Sequence, residues 1–359
     1  MSGITFLIGN GFDLACGIKS RYIDSYKSYI ESDSKTDTIS RFKKTIERDI
    51  DSWADFEMKM AKYARVFNDD AELTECIRDY SAFLNNYLLQ EQKQFQNATK
   101  NDDNLLSAMV DEMGRSFCCF FDALTKNDQR EILATMSDGR QYVYRFISFN
   151  YTKIFDELAD AAFTLNSLSK YTKNNYSNQP VIHIHGELGN DVVLGVDNAS
   201  QLKDLPYKLS RRGSRNIIKP TFIKEYDDKR QSDAFSYIQS SNIICVFGLT
   251  LGESDLTWRK ALAAWLLEHQ RHHLIFYKHS LATKKYPVTG ITQRMDDEED
   301  YKEKLIEILF GKGLNNDSYL QIYKQIHIPT GSTIFNISNV SYTVTKGATI
   351  AEPPSMVYN

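Results

Sequence analysis

Four short stretches hold most of the residues able to do chemistry: Gly9-Asn-Gly-Phe-Asp13, Ser148-Phe-Asn-Tyr151, His183-Ile-His-Gly186 and Gly248-Leu-Thr-Leu-Gly-Glu-Ser-Asp255. Each closes an apolar run, and three of the four set glycine beside amides, imidazoles or carboxylates. Two close glycines let backbone N–H groups approach a pyrophosphate. The first stretch is only G-x-G, however, with Leu14 where a dinucleotide fingerprint has its third glycine. No ribose-binding acid stands at the expected distance, so ordinary hydride transfer is disfavoured. Asn10 and Asp13 fit either a ribose contact or the cap of the next helix. His183 and His185 alternate on one strand and would share a face. A metal would need more ligands, and His269, His272, His273, His279 and His327 supply no matching pattern, so no metal is expected. His185 is predicted to line a cleft, with His183 supporting it. Asn150 closes a buried strand, where its amide must be satisfied. It either caps the helix beginning near Thr152 or holds a water and a sugar hydroxyl. The stretch Lys208–Lys219 carries five basic residues and no acid; it suits phosphate groups or a solvated loop.

The elements that position these residues read as α/β. Strand-like runs cover Ile4–Ile8, Tyr142–Phe149, Val181–His185, Val192–Val196, Asn242–Phe247 and His273–Tyr277. Helical patterns fill Thr152–Leu165 and Leu256–His269. Between the first two strands, apolar residues recur at spacings of three and four. Phe42 to Phe67 predicts one long amphipathic helix, Leu73 to Tyr87 a second and Leu106 to Leu124 a third. Within the first, Trp53 and Phe56 face the core, while Asp55 and Glu57 are placed on the surface unless the helix covers the cleft. Alternating strand and helix imply a mainly parallel sheet with right-handed crossovers. The carboxyl ends of such strands share one edge, so the four polar turns are expected to meet around one cleft. The domain reading is residues 1–20 with 140–295 as a nucleotide-binding α/β domain and 21–139 as a helical insertion. Residues 296–359 form an extension, with a helix at Asp296–Leu309 and a hairpin at Ser332–Val344.

The chain has 359 residues and a net charge of −4, which argues against a partner gripped through nucleic-acid phosphates. No apolar run is long enough for a signal peptide or a membrane span. The five cysteines include no CxxC pair, so neither a zinc site nor a disulfide framework is suggested. A cytoplasmic protein with reduced thiols is expected, without membrane association.

Several of these stretches carry a resemblance together. Leu7-Ile-Gly-Asn-Gly-Phe-Asp-Leu14, Trp53-Ala-Asp-Phe-Glu57, Ser148-Phe-Asn-Tyr-Thr152, His183-Ile-His-Gly186, Leu194-Gly-Val-Asp197 and Phe247-Gly-Leu-Thr-Leu-Gly-Glu-Ser-Asp255 resemble the bacteriophage abortive infection AbiH family in order and type. The likeness spans roughly residues 4–260. That family is in turn remotely similar to sirtuin-like domains, including NAD-hydrolysing ones.

The resemblance implies a sirtuin-like, Rossmann-type sheet and an anti-phage effector that cleaves the nicotinamide–ribose bond of NAD. Asn150 and His185 would be catalytic. Gly9, Asn10, Gly11, Asp13, Tyr151, Gly186, Gly248, Thr250, Glu253 and Asp255 would hold the nucleotide, the last three on the adenosine side. NAD would be a substrate, a phage-derived molecule the trigger, and a homo-oligomer the assembly. Missing paired cysteines exclude the zinc ribbon of protein deacetylases. Two other functions compete: a nucleotide-sensing module without turnover, and a metal-dependent nuclease.

Overall fold

A computed structural model describes residues 2–53, 55–136, 141–190, 192–202, 205–225, 229–287, 289–331 and 333–338. Six parallel strands form one sheet: β1 (Ser2–Ile8), β2 (Gln141–Ser148), β3 (Asn175–His183), β4 (Ile243–Phe247), β5 (His273–Tyr277) and β6 (Ile326–His327). Their order is β3-β2-β1-β4-β5-β6, the doubly wound order of dinucleotide-binding folds. The chain runs outward from β1 to β3, then returns to the other side of β1 with β4. Registers align Ile8 with Ser148 and Phe247, and Ser148 with His183. All four candidate turns therefore leave the sheet at one edge, as expected.

Among the described residues, seven α-helices lie between β1 and β2: α1 (Gly11–Ala15), α2 (Tyr22–Glu31), α3 (Asp37–Arg48), α4 (Phe56–Tyr63), α5 (Asp70–Lys100), α6 (Asp103–Cys118) and α7 (Lys126–Met136). Helix α8 (Ile154–Thr164) links β2 to β3, and α9 (Arg211–Ile217), α10 (Lys219–Glu225) and α11 (Arg230–Gln239) precede β4. After it come α12 (Leu256–Glu268), α13 (His279–Ala282), α14 (Ile291–Phe310) and α15 (Asn316–Gln325). None of the helices among the described residues is long and apolar enough to cross a membrane.

Side-chain alternation along β1 divides the core. Ile4, Phe6 and Ile8 pack against α6 and α8, and Leu7 joins the opposite face with α11, α12 and α14. A third core belongs to α2–α5, where Tyr26, Tyr29, Trp53 and Tyr80 are buried. Tyr151, Leu188, Leu194, Val196 and Ile217 pack into it as well, so the helices sit over the carboxyl edge of the sheet.

Several elements differ from the sequence reading. The single helix from Phe42 to Phe67 is broken. Helix α3 stops at Arg48, and α4 starts after Asp55, whose Oδ1 accepts the Met58 N–H at 3.0 Å; an N-cap there outweighs continued periodicity. Val192–Val196 is not a strand and makes only the isolated bridge Val196–Ile218. Strand β3 ends at His183, so His185 lies in the following turn and does not share a strand face with His183. The hairpin expected at Ser332–Val344 falls mostly outside the described residues. Its described part, 333–338, contains no strand, because Phe335 is drawn into the core against Phe6 and Phe12.

Candidate functional site

Three glycines bring the β1 and β4 turns together. The Gly9 N–H donates to the Phe247 carbonyl at 2.9 Å and the Gly11 N–H to the Gly248 carbonyl at 3.1 Å. A Cβ on Gly248 would lie 2.7 Å from the Cα and N of Gly11, and its φ is +74°. Only backbone against backbone fits here, so these glycines serve loop-to-loop approach and two of their N–H groups are already bonded. Gly186 also has positive φ, +85°, at the turn after β3.

Beneath that junction lies a buried polar network centred on Asp13, which is 2% exposed. Its Oδ1 accepts from Asn150 Nδ2 at 3.0 Å, and its two oxygens accept from Thr152 Oγ1 at 2.9 and 2.8 Å. Asn150 Nδ2 also donates to the Gly9 carbonyl at 3.1 Å. Burial pushes the Asp13 carboxyl up to about 7, against the pull of Thr152 and Asn150. The Asn150 amide is thus satisfied by protein, joining β2 to the β1 turn. Its backbone carbonyl accepts from His183 Nδ1 at 2.8 Å, while His183 Nε2 meets both Asp156 oxygens at 3.0 Å. A carbonyl and a carboxylate only accept, so both ring nitrogens carry hydrogen and His183 is an imidazolium. Burial lowers its pKa, but the Asp156 carboxylate outweighs burial and the net shift is upward.

A second cluster surrounds Lys219, which is 4% exposed. Its Nζ lies 2.5 Å from Glu57 Oε1 and 3.4 Å from His185 Nε2. An ammonium only donates, so His185 Nε2 accepts and the imidazole is neutral. Burial, with Lys219 adding to it, sets the His185 pKa well below its ordinary value. His185 as a residue is half-buried, and its ring meets Phe149 and Tyr151 edge-on and tilted, at 5.7 and 6.4 Å. Burial raises Glu57 to about 7 and Asp255 to about 6, each opposed by Lys219. Asp197 Oδ2 accepts the Thr257 N–H at 3.0 Å in the first turn of α12, and Asp255 Oδ2 accepts the Gly252 N–H at 2.9 Å.

Of the other sequence-predicted residues, Asn10 accepts from the Ser20 hydroxyl, and Tyr151 is buried in the helical core beside Tyr22. Thr250 and Glu253 are exposed on the β4 loop, where Leu251 adopts φ +50°, uncommon for a branched side chain. Sequence reasoning missed Glu57, Asp197 and Lys219 as site residues, although the segments holding Glu57 and Asp197 were already singled out. Lys219 ends the basic stretch, whose preceding residues gave no hint that its last lysine is buried. Among the described residues, no three His, Cys, Asp or Glu side chains gather as metal ligands would.

Fold and site define a doubly wound α/β protein whose polar centre sits at the carboxyl edge, roofed by helices inserted after its first strand. The chain belongs to the bacteriophage abortive infection AbiH family, whose model matches residues 5–277. Membership assigns it a role in phage defence by abortive infection. No curated protein and no solved structure matches it.

Proposed function

We propose that this abortive-infection protein is a NAD glycohydrolase, cleaving NAD and water to nicotinamide, ADP-ribose and a proton. The observation that carries the reading is the reversal of strand order between β1 and β4. In open α/β sheets, nucleotides bind in the crevice at such a reversal, outside the carboxyl ends of the strands. Here the Gly9–Asp13 and Gly248–Asp255 turns face one another at that reversal, and the partly exposed His185 stands two residues beyond β3. A neutral imidazole can accept a hydrogen bond from a ribose hydroxyl or the attacking water. Asn150, its amide bonded to Asp13 and Gly9, acts as a positioning residue that fixes the β1 turn against β2.

The test is chromatographic assay of nicotinamide release by the purified protein, alone and with lysate of phage-infected cells as the source of trigger. Wild type should consume NAD, and His185→Ala should lose about 10²-fold or more in kcat. No consumption under either condition refutes the proposal. The committed Asn150 amide favours one second reading, a nucleotide sensor without turnover. Saturable NAD binding by calorimetry with no product would select it.

A further inference from the structure

We infer that Glu57, carried into the site by helix α4, is the carboxylate that faces the ribose at the bond to be broken, with Lys219 holding it beside His185. This inference rests on the NAD reading and adds to it a residue from the inserted helices. Breaking the C1′–N bond sends its electron pair to the nicotinamide nitrogen, which loses its positive charge. C1′ takes up that charge as an oxocarbenium-like centre. Glycosidic cleavage is served by a carboxylate beside that centre and a group that handles the water proton. Water then forms the C1′–O bond and passes a proton to the neutral His185 imidazole, and so to solvent.

Asn150 and His185 supply no negative charge, and Asp13 is enclosed beneath the glycine junction by Asn150 and Thr152. Glu57 is also buried, at 7% exposed, but unlike Asp13 it is one ammonium away from His185. Its neighbour in space, Lys219, touches both Glu57 at 2.5 Å and His185 at 3.4 Å, so one ammonium ties together a carboxylate and a neutral imidazole. The second carboxylate within the field of Lys219 is Asp255, from the β4 loop. Burial raises the Glu57 carboxyl to about 7, so its negative charge, and with it cleavage, should grow as pH rises through neutrality.

Local structure is bent to make this arrangement. Asp55 caps α4 and sets Glu57 in its first turn, inside rather than toward solvent. Gly195, at φ +154°, lies so close to Ile217 that a Cβ would sit 2.2 Å from its carbonyl oxygen. That approach lets Val196 N–H donate to Ile217 O at 2.8 Å and Lys219 N–H to Val196 O at 3.0 Å, which carries Lys219 inward. A buried ion pair is poor value as a stabiliser, since apolar residues of the same volume serve as well. The expense is explained if the charges act on a ligand.

The experiment compares NAD cleavage by wild type, Glu57→Gln, Glu57→Ala and the double variant Glu57→Gln with Lys219→Met, which leaves no unpaired buried charge. Thermal melts identify the folded variants. With Glu57 as proposed, folded variants lose about 10²-fold or more in kcat with KM changed less than about threefold. Their pH–rate profile loses the limb near neutrality, and added formate restores cleavage to Glu57→Ala. If wild type cleaves NAD and the folded double variant cleaves it equally with an unchanged profile, the assignment of Glu57 is overturned while the NAD reading stands. If wild type cleaves no NAD, both fall.

Discussion

Replacing Asp13 by asparagine should make the protein more stable in alkali relative to wild type, and the size of the effect follows from burial. The Asp13 carboxyl titrates at about 7 in the folded chain against 3.8 when free. A raised carboxyl pKa means that the folded state holds the proton longer. Its stabilising contribution is complete below 3.8 and is lost as pH rises through about 7. Integrating the proton difference from about pH 5 to about pH 8 gives roughly 2.5 kcal/mol lost by wild type from this group alone. Asparagine has nearly the shape of the protonated acid. Its Oδ1 can accept from Asn150, and the Thr152 hydroxyl can turn to accept from its amide, so the variant should cost little at about pH 5. Glu57 and Asp255 also have raised pKa values, but they titrate in both proteins and cancel in the difference, as independent sites do. Urea denaturation at the two pH values measures it. The variant should gain about 2–3 kcal/mol on wild type between them; parallel pH curves would show that Asp13 is not a buried protonated acid.

Gly248→Ala should cost about 3 kcal/mol, since positive φ and a backbone clash with Gly11 act together. Gly17→Ala, with φ +82° and open space around it, should cost only about 1 kcal/mol; equal losses in urea melts would remove the case for close loop approach. Phe12→Ala should lose about 3–5 kcal/mol without pH dependence, because Phe12 packs edge-on to Phe155 and Phe335 at 5.1 and 5.5 Å. Asp156→Asn removes the strongest influence that raises His183, so burial weighs more and its pKa falls. A raised histidine pKa stabilises below the free value and fades as pH climbs through the folded one. The variant should therefore cost about 2 kcal/mol at about pH 5 and less at about pH 9; histidine NMR showing His183 unmoved would contradict the pairing.

Strands β1, β2, β4 and β5 were legible because apolar runs that close on polar turns have few other uses, whereas β3 starts before the expected Val181 and the two-residue β6 carries too little pattern to read. The inner polar network was half legible. Asn150 at the end of β2 announced a buried amide, but its partner Asp13 sits far away in sequence and offered a helix cap as the simpler role. Helix periodicity put Glu57 on the surface unless its helix covered the cleft, and the helix does cover it. Periodicity sorts residues into a packed face and a wet face, and that division fails where a helix is itself roofed onto a sheet. Phe56 and Glu57 are neighbours in sequence and both buried, one against Tyr80 and the other on Lys219. Lys219 escaped for the matching reason: its position depends on Gly195 meeting Ile217, a contact between loops that no local pattern encodes. Elements follow from local physics, whereas this charged centre follows from where the inserted helices land. Hence two residues with perturbed chemistry at the edge, Glu57 and His185, are joined through a third, Lys219, that lies close to neither in sequence.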